Sequence, residues 1–399
     1  MIHYNETVFK DMHNYVEKFL NEEGGLTIER CQKEGLKEYD HNQYIELDTL
    51  GRGAYGMVKK CKFIPIHEFH AVKTVRIQGI PHEKMKKNVV GFLVETNICK
   101  KLKDINHPNL ASFKNSCYLL DSSGNIQSLI LITEAGDFSL KDLVECRKNQ
   151  KNSPPYKAEE ALMVIKSLAK AFTALQENRI YHSDIKLANI IYSGSAKKFI
   201  IIDFGLSCII PSSQNDYSES SLDEIEINKV IRGGTERYYS NEKALYMKDE
   251  ISGEELFNPF KCDMWSLGVC LEIMCDLGYS ELKTKNPIFN QIVTGLKEVE
   301  WIERYDAKKL CEALNDQENT DITVIEKRFF EILKVKNYEK NKELMELYGN
   351  ANMPSEKLKI VMHYWNRFEK ENEGEIYEEN WEEFDDLLWK LGKYFYFFK

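Results

Sequence analysis

The sequence predicts an α+β protein in which an antiparallel sheet, interrupted by one helix, precedes a mainly helical half. Three observations support this prediction. Short β-branched runs separated by glycine and charge begin at Tyr44, a helical pattern covers about residues 83–103, and an apolar stripe of helical period follows Pro155. The length of 399 residues suits two or three structural units, or one large two-lobed catalytic unit.

Composition and charge exclude several classes of protein. With 43% hydrophobic and 30% charged residues, the chain is close to the globular average and is neither largely disordered nor membrane-embedded. The 54 basic and 64 acidic residues give a net charge of −10, which argues against a chain-wide surface for nucleic acid. The ten cysteines form no C-x-x-C pair, so we expect reduced thiols rather than a zinc site or a disulfide framework.

No segment predicts export or a membrane span. The most apolar long stretch, 265–275, is too short to cross a bilayer and contains Glu272. The first residues lack the basic start and apolar run of a signal peptide. We therefore expect an intracellular protein located in the cytoplasm, with the nucleus as the alternative.

The elements follow in order along the chain. Residues 5–22 carry one apolar helical face, as expected for a docking helix or a partner-binding arm. The strand-like runs are YIELDTLGRG, GMVKKCKFI, FHAVKTVRI and SLILITE, and the helical stripe runs from Ala161 to Leu175. A polar run between Cys208 and Lys229 predicts a loop. The acidic and then aromatic residues 369–399 predict a segment that docks on its own chain or on a partner.

The first chemical signal is the set Gly51, Gly53 and Gly56 in LGRGAYGMV. The pattern G-x-G-x-x-G also marks dinucleotide-binding folds, but there a helix must follow the loop. Here the strand-like MVKKCKFI follows, so we interpret the glycines as the tip of a hairpin whose backbone can close over phosphates.

A lysine in a strand provides the second signal. Lys73 lies in AVKTV, and by itself it could be a strand residue that points to solvent. Glu95, on the helix that follows, could hold the lysine ammonium against nucleotide phosphates.

The strongest signal is a polar loop followed by an apolar strand and a second acidic motif. The loop YHSDIKLAN contains Asp184, Lys186 and Asn189, and KFIIIDFG contains Asp203, 19 residues after Asp184. Phosphoryl transfer needs metal ions on the phosphates, a positioned hydroxyl and cations where charge develops. Two metal ligands, a carboxylate base and a lysine would meet that need.

Together these motifs resemble the eukaryotic-type protein kinase family over roughly residues 44–274. The resemblance is carried by GRGAYGMV, AVK, Glu95, HSDIKLAN, DFG, GGTERYYSNE and DMWSLGV. It implies a two-lobed fold with ATP and Mg²⁺ in the cleft: a small β lobe with one key helix at 44–136 and a larger helical lobe at 137–368. The remaining residues, 1–43 and 369–399, would be extensions.

The resemblance also implies roles for single residues. The Gly51–Gly56 loop is similar to the phosphate cover, and Lys73, paired with Glu95, to the contact with the α and β phosphates. The catalytic aspartate would be Asp184, the cation near the transferred phosphate Lys186, and the magnesium ligands Asn189 and Asp203. The adenine pocket would consist of Val58 and Ala71 around the ring, Thr133 as gatekeeper, and the backbone of Glu134 and Gly136. Asp263 resembles the buried aspartate that braces the catalytic loop.

The expected substrates are protein serine and threonine hydroxyls. Lys186, two residues after Asp184, together with Thr235 in GGTERYY, resembles the serine/threonine-specific branch rather than the tyrosine-specific branch. A small-molecule phosphotransferase shares the H-x-D-x-x-x-x-N layout but usually lacks the glycine loop and the GT…E segment.

Several residues depart from the family pattern. Ser183 stands where many members have an arginine that gathers a phosphorylated activation loop, and Asn241 replaces the usual proline. The late segment that would supply a partner for Glu242 has Met353 at the arginine position, so the partner could be Arg328 or Arg367. These departures leave open a pseudokinase scaffold that binds nucleotide or partners without efficient catalysis.

Overall fold

The computed structural model describes residues 26–53, 56–149, 158–193, 198–210, 225–226, 233–252, 256–275 and 286–315. The helix expected over 5–22, most of the polar run after Cys208 and the extension 369–399 lie outside these residues. None of the helices in the described ranges is long and apolar enough to cross a membrane.

Six strands form the sheet of the first part of the chain. They are β1 (Lys37–Glu38), β2 (Tyr44–Gly53), β3 (Gly56–Phe63), β4 (Glu68–Arg76), β5 (Phe113–Leu120) and β6 (Ile126–Glu134). The spatial order is β1-β5-β6-β4-β3-β2, and every neighbouring pair is antiparallel except β1 and β5. The predicted antiparallel sheet is confirmed, while β5 and the parallel edge strand β1 are additions that the pattern did not reveal.

Two helices flank this sheet. They are α1 (Ile28–Lys33) and α2 (His82–Ile105), and α2 confirms the helix predicted over 83–103. Its apolar side chains join strand residues in one buried cluster, to which Cys31 of α1 also belongs. Lys100 of α2 donates to the carbonyl oxygen of Glu34 at 2.9 Å. The segment around α1 therefore packs against α2 as well as against the sheet.

The strand register places the predicted nucleotide contacts on one face of the sheet. Ala71 of β4 lies opposite Thr133 of β6, and Lys73 lies opposite Val58 of β3. Directly opposed residues of antiparallel strands share a face, and so do residues two apart in one strand. Hence Val58, Ala71, Lys73 and Thr133 all project from the same side.

The second part of the chain is mainly helical. Its helices are α3 (Leu140–Asn149), α4 (Ala158–Glu177), α5 (Asn241–Met247), α6 (Pro259–Met274), α7 (Pro287–Leu296) and α8 (Ala307–Asn315). Its short strands are β7 (Phe138–Ser139), β8 (Ile180–Tyr181), β9 (Ile190–Ser193), β10 (Lys198–Ile201), β11 (Cys208–Ile209), β12 (Ile225–Glu226) and β13 (Leu256–Phe257). Helix α4 confirms the predicted apolar stripe, and a sheet region followed by a helical region is the order that the sequence predicted.

Helix α6 forms the centre of the helical part. All but two of its sixteen residues are buried, which is typical of a helix surrounded by other elements. Asn258 caps its start by accepting the backbone N–H groups of Phe260 and Lys261, and Pro259 occupies the first helical position. The buried Asp263 therefore projects from a well-anchored helix.

The partner of Glu242 differs from the residues that the sequence suggested. Arg304, whose side chain is fully buried, donates Nη1 to Glu242 Oε1 at 2.7 Å and Nη2 to Oε2 at 3.1 Å. Further Arg304 donors reach the backbone carbonyls of Glu298, Lys261 and Val299. The proposed partners Arg328 and Arg367 lie outside the described residues, and Arg304 fills their expected place.

Breaking this ion pair should destabilise the protein strongly. Arg304→Leu leaves the Glu242 carboxylate buried without a cation, and such a loss costs about 3–5 kcal/mol of unfolding free energy. Chemical denaturation measures it, with the exposed Arg237→Leu as control. The double variant Arg304→Leu/Glu242→Leu should recover much of the loss, because it buries no unpaired charge.

The same variant should show an altered pH dependence. Burial favours a raised pKa for Glu242, but Arg304 outweighs burial and holds the pKa below its ordinary value. Without Arg304 the pKa of Glu242 in the folded protein should exceed its unfolded value of about 4.3. The contribution of Glu242 to the stability of this variant should then be fully present below about pH 4.3, and it should be lost as pH rises and the buried carboxyl group ionises. The difference in unfolding free energy between the wild type and Arg304→Leu should therefore shrink as pH falls from 7 towards 4.3. A difference that does not change with pH would contradict the pairing of Arg304 with Glu242.

Candidate active site

Three charged side chains from distant parts of the chain meet beside β4, an interior strand of the sheet. Lys73 Nζ on β4 lies 2.9 and 2.8 Å from the two carboxylate oxygens of Glu95 on α2, and 3.2 Å from Asp203 Oδ1 after β10. The Glu95 side chain is 7% exposed and the Asp203 side chain is 44% exposed. The structure thus brings together the predicted Lys73–Glu95 pair and adds Asp203 to it.

The pKa values of these groups follow from burial and mutual attraction. Burial acts to lower the pKa of Lys73, but the two carboxylates outweigh it and raise that pKa above its ordinary value. Burial keeps the pKa of Glu95 raised despite the lysine. For the partly exposed Asp203, the attraction of Lys73 outweighs burial and lowers the pKa. Asp203 is therefore a carboxylate at neutral pH, with a charge available to a cation.

Glycine at position 205 allows the three charges to approach one another. A Cβ atom there would lie 3.3 Å from Asp203 Oδ1, 3.4 Å from Lys73 Nζ and 3.5 Å from Glu95 Oε2. Asp203 itself has a left-handed backbone with φ 62°, which is uncommon for a residue other than glycine. Such a conformation costs free energy and persists only where its surroundings enforce it.

The polar loop before β9 is anchored on helix α6. Asp263 accepts the backbone N–H of His182 at 2.8 Å and that of Ser183 at 3.0 Å. Ser183 has φ 70°, so these bonds hold a second left-handed residue directly before Asp184. Burial raises the pKa of Asp263 to about 7, although both N–H groups and Lys243 favour its charged form. The expected bracing role of Asp263 agrees with this geometry.

His182 connects the polar loop to the Asp203 segment. Its Nε2 donates to the carbonyl oxygen of Ile202 at 3.0 Å, while its Nδ1 accepts the N–H of Asp184 at 3.3 Å. These roles require the neutral ring, and burial lowers the pKa of His182 accordingly. The residue that precedes Asp203 is thereby linked to the loop that carries Asp184.

Asp184 lies in a cluster of polar groups that could hold a hydroxyl. Lys186 Nζ contacts Asp184 Oδ2 and also Thr235 Oγ1, the latter at 3.1 Å. Thr235 in turn donates to Asp184 Oδ1 at 2.9 Å. Asn189 Nδ2 donates to the backbone oxygen of Asp184 at 2.9 Å, which leaves the amide oxygen of Asn189 as its ligand atom.

The two predicted magnesium ligands lie close together in the fold. Strands β9 and β10 form a hairpin, and beyond its last pair the N–H of Ile202 donates to the oxygen of Asn189 at 3.0 Å. Carboxylate and amide oxygens suit Mg²⁺, which is commonly held by one or two carboxylates together with substrate phosphates. The described residues contain no cluster of three or more His, Cys, Asp or Glu that would bind a metal alone. The donor set therefore fits Mg²⁺ bound with a nucleotide.

The glycine loop is the tip of a hairpin, as predicted. Gly51 of β2 pairs with Val58 of β3, and Gly53 pairs with Gly56. A Cβ atom at Gly51 would meet nothing within 4 Å, whereas one at Gly56 would lie 2.0 Å from the carbonyl oxygen of Thr74. Sheet packing alone therefore demands glycine at position 56.

The predicted adenine-binding segment connects β6 to the helical part. Thr133 and Glu134 end β6, and the side chain of Glu134 pairs with Lys198 at 3.3 Å. A Cβ atom at Gly136 would lie 2.7 Å from both Ile191 Cδ1 and the oxygen of Tyr192. Glycine at 136 thus lets the backbone cross close to β9.

Sequence reasoning missed two residues that support this site. Arg304 pairs with Glu242, and Lys243 contacts Ser183 in the polar loop. The signal for Arg304 was a single cation in a charged stretch, and Lys243 lies in the polar run SNEK. Neither differs from an ordinary surface residue by its neighbours in sequence.

Comparisons with known proteins agree with this geometry. The family model described as "Protein kinase domain" matches residues 44–367. SNF1-activating kinase 1 of Saccharomyces cerevisiae is 26% identical over 246 residues, which cover 58% of this chain and 21% of the relative. MAP kinase-interacting serine/threonine-protein kinase mnk-1 of Caenorhabditis elegans is 28% identical over 279 residues, which cover 64% and 36%. The chain thus spans about a fifth to a third of the length of these relatives.

Removing the Asp263 carboxylate should loosen the polar loop. In Asp263→Ala the N–H groups of His182 and Ser183 lose their acceptors, at a cost of about 1–3 kcal/mol for each buried group. Denaturation measures the loss of stability, and hydrogen exchange at amides 182 and 183 localises it. The exposed Asp104→Ala is the matched control, and unchanged exchange at both amides would refute the bracing role.

Proposed function

Because the chain belongs to the protein kinase family, we propose that it transfers the γ-phosphate of ATP to serine and threonine hydroxyls of proteins. The main support is the contact of Asp184 with Lys186 and Thr235. The loop that carries Asp184 is also linked to the Asp203 segment by the hydrogen bond from His182 to Ile202. Such an arrangement offers a carboxylate for an attacking hydroxyl beside a cation for the transferred phosphate.

The proposed roles divide between two groups of side chains. Lys73, held by Glu95, contacts the α and β phosphates, and the hairpin from Gly51 through Gly53 to Gly56 covers them. Asn189 and Asp203 hold Mg²⁺, which supplies positive charge against the phosphate oxygens when it is bound. Each of these residues keeps its place through a partner on another element, so the site is largely organised before a nucleotide arrives.

The proposed adenine site lies on the face of the sheet that also carries Lys73. Val58 and Ala71 sandwich the ring, and Thr133 limits the depth of the pocket. The backbone of Glu134 and Gly136 bonds to the edge of the base. The shared face of Val58, Ala71 and Thr133 supports this proposal.

Asp184 orients the acceptor hydroxyl and takes its proton in the proposed reaction. Lys186 offsets the charge that develops on the transferred phosphoryl group. Thr235 fixes the rotation of the Asp184 carboxylate by donating to Oδ1, while Oδ2 contacts Lys186.

We also propose that the activity depends on magnesium and that the protein is intracellular. We further propose that the extensions 1–43 and 369–399 dock on this chain or on a partner, and that the lobes cover 44–136 and 137–368.

We prefer catalysis to a pseudokinase scaffold because no proposed metal or phosphate contact is missing. Of the departures, Ser183 keeps its backbone bond to Asp263, and Glu242 has a cation in Arg304. Met353 lies outside the described residues. The departures thus leave the catalytic groups intact.

Replacing Asp184 should abolish transfer but not nucleotide binding. Asp184→Ala should lower kcat by about 10²–10⁴-fold, since positioned general bases contribute on that scale. The assay is magnesium-dependent transfer of labelled γ-phosphate to a generic basic protein and to the chain itself. ATP with Mg²⁺ should still raise the melting temperature of the variant by mass action.

Two controls make this assay decisive. The exposed Glu312→Gln should leave kcat unchanged, and phosphoamino-acid analysis should find phosphoserine and phosphothreonine. Unchanged transfer in Asp184→Ala would refute the mechanism, and phosphotyrosine as the main product would refute the substrate class. Equal transfer to small alcohols or amines would favour a small-molecule phosphotransferase.

Thr235 should be needed for its hydroxyl group. Thr235→Ala removes a hydrogen bond to a carboxylate, worth about 1.5–3 kcal/mol, so kcat should fall about 10–100-fold. Thr235→Ser keeps the donor and should retain most of the activity. Steady-state kinetics of both variants is the measurement, and equal loss in the two would show that the threonine methyl group matters instead.

A further inference from the structure

One lysine of the helical part is buried beneath the polar loop. Lys243, on α5, is 3% exposed, and no other lysine in the described ranges is classed as buried. Burying an ammonium group costs free energy unless polar partners replace water. The contacts of the buried Lys243 ammonium group therefore indicate its role in the structure.

The ammonium of Lys243 is directed at the residue before Asp184. Its Nζ donates to the carbonyl oxygen of Ser183 at 2.6 Å and to Ser183 Oγ at 3.1 Å. Tyr181 OH lies 3.5 Å away, and the ring of Tyr239 is 4.9 Å from Nζ. Three of these four contacts are with oxygen acceptors of the polar loop and the strand before it.

The surrounding residues shape a socket for this ammonium. A Cβ atom at Gly234 would lie 3.1 Å from Lys243 Nζ and 3.1 Å from the oxygen of Ser183, so a larger residue there would crowd the contact. Ser183 is small, and its hydroxyl bonds to the ammonium. Burial lowers the pKa of Lys243, whereas the nearby Asp263 and Asp184 act to keep it charged.

Ser183 is therefore held from two sides. Asp263 accepts its N–H at 3.0 Å, and Lys243 donates to its carbonyl oxygen at 2.6 Å. The planar 183–184 peptide joins the carbonyl group of Ser183 rigidly to the backbone nitrogen of Asp184. Because Ser183 is left-handed, this peptide needs such constraints to persist.

We propose that Lys243 is a positioning residue for Asp184, acting through the carbonyl group of Ser183. The inference rests on the proposed kinase function and names a further residue on which it depends. Lys243 follows Glu242 directly, so α5 is fixed to Arg304 by one side chain and to the polar loop by the next. A cation from α5 thus supports this loop in a chain that carries serine at position 183.

The test compares Lys243→Met with Lys248→Met in the full chain. Lys248 is the exposed residue directly after α5, which makes it a matched control. Lys243→Met should lower kcat by about 10–100-fold, as expected for a lost charge-assisted hydrogen bond, with KM for ATP unchanged. Hydrogen exchange of the peptide 181–187 should become faster in Lys243→Met and not in Lys248→Met.

A second variant covers the case in which Lys243→Met folds poorly. Lys243→Gln keeps a neutral donor, so it should lose less kcat than Lys243→Met while it shows the same pattern of exchange. A fall in melting temperature with unchanged kcat of the folded protein would overturn the proposal, because it would show a purely structural role. Unchanged exchange over 181–187 would overturn it as well.

The exchange measurement separates this proposal from the proposed function. If the wild-type chain transfers no phosphate, the proposed kinase function is wrong. Faster exchange over 181–187 in Lys243→Met would then still show that Lys243 holds the carbonyl group of Ser183. If the wild type is active and Lys243→Met equals Lys248→Met in kcat, the positioning role fails and the kinase function stands.

Discussion

The contact of Lys73 with Glu95 and Asp203 is the interaction on which the site depends. It joins β4, α2 and the segment after β10. Glu95 lies 22 residues and Asp203 lies 130 residues after Lys73 in the chain. Charged groups at this depth are stable only in the company of opposite charge. The position of α2 and that of the Asp203 segment are therefore coupled through one ammonium group.

The polar loop before β9 is likewise held by hydrogen bonds from distant residues, here to backbone groups. Asp263 projects from the buried helix α6 and accepts two N–H groups, while His182 reaches the carbonyl group before Asp203. Two left-handed residues, Ser183 and Asp203, lie at the points where these bonds act. The hydrogen bonds of the surrounding scaffold thus stabilise an unfavourable backbone conformation at the place where the chemistry is proposed to occur.

Helix α5 links the scaffold to this loop through two neighbouring charged residues. Glu242 pairs with the buried Arg304, and Lys243 contacts Ser183. Arg304 takes the place of the arginine expected late in the chain, and Lys243 contacts the serine that stands where many family members have an arginine.

The amino-acid sequence by itself determined four of the six strands of the sheet, α2, the stripe of α4 and the motifs around Lys73, Asp184 and Asp203. These features are local: a strand, a helix or a short loop leaves its period or its spacing in consecutive residues. The residues also suggested Glu95 as the partner of Lys73, and the resemblance to a family supported that pairing.

Only the tertiary structure decided which residues complete the site. Arg304 lies 62 residues from Glu242 and Lys243 lies 60 residues from Ser183, and no periodic pattern connects such positions. The need for glycine at position 56 arises likewise from the carbonyl oxygen of Thr74 on the next strand. A contact between distant residues exists only once the chain has packed, because burial, and not sequence neighbourhood, selects the partner of a charged group.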